Sequence, residues 1–177
     1  MSDGPWINIA PVEDATGDLK RAYDTILATR GRMPNIRSVM AGEPLVVEGF
    51  AGFYPENNYA CSSIDRRLAE MIATVASAAN GSTQGGPAHA RQLAKITGDA
   101  TFAQAVLNDY KSAGLTSKEV TLLDYVWKLA QTPSAMTRAD IDGLRAAGWS
   151  DAQIVATVHV CAFFAYMNRI SGAFGVA

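Results

Sequence analysis

Residues 68–99 read LAEMIATVASAANGSTQGGPAHARQLAKITGD, and the seven residues NGSTQGG (80–86) divide this stretch into two arms. The first arm is rich in Ala, Ile, Val and Met. It predicts a helix capped by Ser63 and stopped at Asn80-Gly81, because Asn and Gly tolerate the left-handed turn that ends helices. The second arm predicts a helix from Pro87 to Thr97, closed by Gly98. A connector this short makes the two helices an antiparallel hairpin. Glu70 lies ten residues before Asn80 and His89 nine after it, so equal walks down the arms bring both side chains to similar heights. Glu70, Thr74 and Ser77 fall at i, i+4 and i+7, one polar line on an otherwise apolar helix.

A carboxylate beside an imidazole is useful chemistry. The anion holds the ring in one tautomer, and such a pair takes and returns a proton. The same spacing also permits a plainer arrangement, in which Glu70 pairs with Arg66 or Arg67 one turn earlier and His89 is satisfied locally. The loop offers less. GSTQGG is followed by no G-K-[ST], so it is not a P-loop. Ser82 lacks the G-x-S-x-G elbow of a nucleophilic serine. An anion nest at the start of the second helix stays open on backbone grounds.

The rest of the chain is helical in pattern as well. Leu19, Ala22, Tyr23, Ile26 and Leu27 follow one buried face, and Gly31 closes that helix. Pro34 opens a short segment that leads to a helix near 44–54. Further helices are expected near 100–112, from a Thr116 or Ser117 cap to the stretch before QTPSAM, and from Thr137 with Asp140. Ser150 with Gln153 reads as a capping box for a last helix over 151–171. That helix is apolar nearly all round, which predicts a central position or a subunit contact. No strand-like alternation of useful length is present. The reading is all-α, seven or eight helices with a central antiparallel hairpin, in a single domain over 1–177.

Composition narrows the function. Of 177 residues, 49% are apolar, enough for a core without metals or disulfides. Fifteen Lys and Arg against seventeen Asp and Glu give a net charge of −2, with no basic tract for nucleic acid. Cys61 and Cys161 are too far apart in sequence to read as a C-x-x-C pair or a metal cluster, so they read as ordinary cytosolic thiols. The N-terminal stretch lacks a signal-peptide pattern. The apolar run IVATVHVCAFFAYM (154–167) reads as too short to span a bilayer. A soluble cytoplasmic protein with no membrane partner is expected. His159, flanked by valines, reads as a hydrogen-bonded core histidine, with a part in the site as the lesser alternative. Tyr54, Glu56 and Tyr59 sit in a connector that could border a pocket.

The stretch 68–99 resembles the core of the alkylhydroperoxidase D (AhpD) and carboxymuconolactone decarboxylase superfamily, in its peroxidase-related branch. ATGDLKRAYDTILATRGRMPNI resembles that branch's N-terminal helix, LTSKEVTLLDYVWKLAQTP its middle helix, and HVCAFFAYMNRISGAFGV its C-terminal helix. The family motif is Glu, eleven residues, then Cys-x-x-Cys-x-x-x-His. Laid on this chain, its Glu falls on Glu70 and its His on His89. The two thiol positions are Ser82 and Gly85, and a relay position is Gln84. Asn168 and Arg169 match the branch too, which implies a structural or oligomer role.

With neither sulfur in place, the resemblance implies that thiol peroxidase action is lost and the acid/base half remains. The decarboxylase branch likewise works without a redox pair or a cofactor. The expectation is a cofactor-independent lyase, decarboxylase or isomerase acting on a small organic acid or carbonyl metabolite. Glu70 and His89 would be catalytic. Ser82, Gln84, Gly85, Gly86 and Thr74 would contact substrate in the room left by the missing side chains. No metal or cofactor is called for. The resemblance further implies a homo-oligomer: dimer, trimer or hexamer. The rival readings are an inert binding or scaffold member, and a residual peroxidase using Cys61 or Cys161.

Overall fold

The computed structural model describes residues 5–53 and 61–176. Nine α-helices and no strand are present among them. The chain forms two compact units, Cys61–Asn168 and a smaller one of Met1–Ala60 with Arg169–Ala177.

In the smaller unit, α1 (Gly17–Arg30) ends as expected at Gly31, which adopts φ 65° and donates its N–H to Leu27 O. Ala22, Tyr23 and Ile26 are buried, with Leu19 and Leu27 half-buried at the edges of the same face. The Tyr23 hydroxyl donates to Ala10 O at 2.7 Å, which gives the polar end of a buried ring its partner. The short segment opened by Pro34 is itself a helix, α2 (Asn35–Met40), so the described helices number one more than the upper expectation. Six residues are too few for a periodic pattern to stand out. α3 (Pro44–Phe53) follows and packs on α1 and α2. Near the C-terminus, Gly175 adopts φ 62° and lies so close to the Trp6 ring that a side chain there would overlap it.

The larger unit is built around α4 (Arg66–Ala79), in which every residue from Leu68 to Ser77 is buried. α5 (Gly85–Thr97), α6 (Ala100–Asp109) and α7 (Ser117–Gln131) all pack on α4. The cap of α4 differs from the sequence reading. Asp65, not Ser63, accepts the Leu68 N–H at 2.7 Å. The Ser63 hydroxyl instead donates to Ala152 O at 3.0 Å. A carboxylate facing free backbone N–H groups is favoured over a hydroxyl at a helix start. Asp99 caps α6 in the same way through Phe102 N. α8 (Arg138–Ala146) starts with a capping box of Thr137 and Asp140.

The last helix, α9 (Asp151–Phe174), begins with the Ser150–Gln153 box, both hydrogen bonds being made. At 24 residues it is longer than the apolar run that it contains. By length and composition alone the whole helix is long and apolar enough to cross a membrane, a test that the core helix of a soluble protein also passes. Its apolarity has an account within the fold, because Ile154, Val160, Cys161, Phe163, Phe164 and Met167 are buried. The opposite stripe of Val155, His159 and Ala162 is exposed. The central helix of this unit is therefore α4, and α9 is one-sided.

Candidate active site

The α4–α5 hairpin forms as the spacing predicts. Asn80 ends α4, Gly81 takes φ 69°, and Ser82 N–H turns back to Ser77 O at 3.0 Å. The Glu70 side chain is 0% exposed, and His89 Nδ1 lies 2.8 Å from its Oε2. The other oxygen is occupied too, with Arg66 Nε and Nη2 each 3.0 Å from Glu70 Oε1. Both sequence alternatives for Glu70 therefore hold at once. Arg67 goes elsewhere, to Glu119 Oε1 at 2.6 Å, with its guanidinium 5.1 Å from the Phe102 ring centre.

This arrangement has a chemical consequence. A buried carboxylate is costly unless paired and hydrogen-bonded, and here one charged donor and one ring N–H serve its two oxygens. An ionised carboxylate only accepts, so Nδ1 of His89 is the donor. On the neutral ring the lone pair is then left on Nε2. The ring packs edge-on against Phe164, with centroids 4.1 Å apart and planes at 70°. Phe164 in turn meets Phe163 at 5.1 Å. The His89 side chain retains 12% exposure, so the imidazole is held on two sides yet not sealed.

The loop is more tightly organised than its glycines suggest. α5 begins at Gly85, two residues before the predicted Pro87, so Gly85 and Gly86 belong to its first turn. Ser82 Oγ accepts the Gly85 N–H at 2.9 Å. Gln84 is exposed. A Cβ at Gly85 would lie 2.5 Å from Asn168 Oδ1, 2.9 Å from Ser82 Oγ and 3.1 Å from Ser77 Oγ. One at Gly86 would lie 2.8 Å from Leu107 Cδ1. The room expected beside Gly85 is thus taken by protein atoms, a correction that only packing could supply.

Asn168 is the hub of that packing. Its Nδ2 lies 3.2 Å from Ser77 Oγ and 3.3 Å from Asn80 Oδ1, while Asn80 Nδ2 donates to Ala130 O at 3.0 Å. The structural role expected for Asn168 therefore has a specific form, since it ties α9 to the floor of the loop. Thr74 is fully buried, and its hydroxyl donates to Glu70 O at 2.7 Å within α4. Phe164 and Asn80 were not marked as site residues by the sequence. Asn80 read as a helix stop and Phe164 as one of many apolar residues.

His159 is exposed rather than buried in a core, because it falls on the outer stripe of α9. Tyr54, Glu56 and Tyr59 lie outside the described residues. Burial pushes the Cys161 thiol up to about 12, and its Sγ–H faces Val126 O at 3.8 Å. Burial raises the Cys61 thiol as well. Among the described residues, no cluster of three His, Cys, Asp or Glu is placed to hold a metal.

No protein-family model matches the chain, and no curated protein sequence does. Solved structures do match it over nearly its whole length. A peroxidase-related protein from Silicibacter sp. TM1040 superposes with a TM-score of 0.81 at 22% identity, covering 99% of this chain and 92% of that one. An alkylhydroperoxidase AhpD core protein from Ralstonia eutropha JMP134 gives 0.79 at 20% identity, over 98% and 91%. The chain has the AhpD-like fold. A third protein with this AhpD-like architecture is the debrominase Bmp8, solved as a cysteine-to-alanine variant with 2,3,4-tribromopyrrole. It matches at 0.79 and 18% identity, covering 100% of this chain and 93% of that one. At these identities the likeness speaks for the fold, and the chemistry must be argued from the residues present.

Proposed function

We propose that the protein is a cofactor-independent acid/base enzyme acting on a small organic acid or carbonyl compound. The observation that carries this reading is the buried Glu70 bridging Arg66 and His89. His89 Nε2 is the proton-transferring atom. Glu70 orients the ring and is not the second proton carrier, since both its oxygens are engaged. In an isomerase step, Nε2 takes a proton from carbon beside a carbonyl, the electron pair moves onto the carbonyl oxygen, and the proton returns at another position. In a decarboxylation the C–CO₂ bond breaks instead, its electron pair again reaches the carbonyl oxygen, and His89 relays a proton from water to the carbon.

The Ser82 O–H and the Gln84 amide are the side-chain donors assigned to the developing oxyanion, because the Gly85 N–H already serves Ser82 Oγ. Binding of a small ring compound by Bmp8 supports a small-molecule substrate on this fold. The proposal includes action in the cytoplasm as a homo-oligomer, in keeping with the exposed stripe of Val155, His159 and Ala162 on α9.

The test works whatever the product is. Deuterium uptake from D₂O into a panel of keto acids, lactones and enones, with CO₂ release followed alongside, detects either step. His89→Asn keeps a donor toward Glu70 and is expected to lose about 100-fold or more of the rate. Undiminished exchange in that variant would sink the assignment.

A second reading is favoured by the internally satisfied loop, in which Asn168 and Ser82 fill the space beside Gly85. It is an inert binding member of the fold, and it predicts no exchange with any member of the panel. Residual peroxidase action is disfavoured, because thiols raised by burial are poor nucleophiles near neutral pH.

A further inference from the structure

We propose that Arg66 is a positioning residue of this site, whose charge lets His89 rest as a neutral imidazole with its proton on Nδ1. The inference deepens the acid/base reading and rests on it. Glu70 is 0% exposed, so water cannot balance its charge, and the two donors that reach it divide the work. Arg66 places a permanent positive charge on Oε1 through two nitrogens. With that charge present, Oε2 needs from His89 only a neutral N–H donor. Without it, the lone buried carboxylate would draw a proton onto the ring and hold an imidazolium, because an unbalanced buried anion stabilises a neighbouring cation. An imidazolium has no lone pair on Nε2 and cannot act as a base. Arg66 thus acts on catalysis through Glu70, with no contact to substrate required.

The neighbouring groups leave this assignment to Arg66. From α4, the titratable side chains toward α5 are Glu70, Arg66 and Arg67, and Arg67 is paired with Glu119. The α6 helix carries only Asp109, whose Oδ1 accepts Lys111 N–H at the far end. From α9 the ring meets Phe164, which is uncharged. That helix also bears Asp151, paired with Arg145, then Cys161 facing Val126 O, exposed His159 and Arg169, and Tyr166. α5 itself adds Arg91 and Lys95.

The test is imidazole ¹⁵N NMR on the full chain across pH. The chain has two histidines, and His159→Asn assigns them. Wild-type His89 is expected as the neutral Nδ1–H tautomer at pH 7.5, with His159 as an internal control. Arg66→Gln is expected to convert His89 from the neutral Nδ1–H tautomer to an imidazolium at pH 7.5, while Arg66→Lys restores most of the neutral form. A neutral Nδ1–H ring in folded Arg66→Gln at pH 7.5 overturns the proposal. So does an imidazolium or an Nε2–H tautomer in the wild type, a reading that needs no variant to fold. None of these measurements uses turnover. Failure of the catalytic reading would show separately, as a neutral Nδ1–H ring in a protein that exchanges no substrate proton.

Discussion

Two carboxylates in the larger unit each engage one cation and a further donor, and do different things. Asp140 receives Lys128 Nζ at 2.7 Å on one oxygen and 2.8 Å on the other, together with the Thr137 N–H and hydroxyl. Glu70 receives a guanidinium and an imidazole N–H. Asp140 keeps 20% of its side chain exposed at a helix start, whereas Glu70 keeps none. At the surface, this set of bonds ties down the first turn of α8, and water screens what is left. In the interior the carboxylate dictates the state of whatever touches it, and what touches it is a titratable ring. Burial together with an imidazole partner separates the Glu70 arrangement from a helix staple.

The largest test of that difference is Glu70→Ala. Removing one partner of a buried charged set costs about 3–5 kcal/mol, to be read from urea unfolding. Asp140→Ala should cost clearly less, and equal losses would break the comparison. The floor of the buried site offers the next effect. Gly85→Ala is expected to cost about 1–3 kcal/mol, because its Cβ would meet Asn168 Oδ1 at 2.5 Å. Asn168→Ala in the same chain should recover part of that loss, and additive losses would count against the contact. Ser82→Ala deprives the Gly85 N–H of its acceptor and should cost about 1 kcal/mol.

The smallest effect belongs to Asp140 and depends on pH. The hydrogen bond from Lys128, then those from Thr137, hold its carboxyl down at about 2, against 3.8 for a free aspartate. A depressed acid stabilises the fold above its unfolded value and loses that contribution as pH falls through the folded one. The melting-temperature gap between wild type and Asp140→Asn should therefore be constant above about pH 5 and close by about pH 1. A gap that widens on acidification would reverse the sign and defeat the assignment. Added salt should narrow the same gap at neutral pH.

Much of this was legible because it is local. Gly31 and Gly98 as helix stops, the boxes at 137/140 and 150/153, and the similar heights of Glu70 and His89 on the hairpin all follow from short spacings on known periodicities. Readings failed where two candidates of similar propensity lay close together, or where the partner was distant in sequence. Asp65 displaced Ser63 as the cap of α4 because Ser63 found Ala152 O, 89 residues away. The apolar pattern of α9 concealed which side faced out, so His159 could not be placed. The volume beside Gly85 depended on Asn168, which no local pattern connects to it.

The sequence by itself determined an all-helical chain, its central hairpin and the similar heights of Glu70 and His89 on the two arms, since helical periodicity and a short connector leave little freedom over twenty residues. Only the tertiary structure decided that α4 rather than α9 lies at the centre of its unit. It alone showed that Arg66 and His89 share one buried carboxylate and that Asn168 fills the place of a missing side chain. These are matters of which surfaces exclude water together, and that is settled by contacts between residues far apart in the chain.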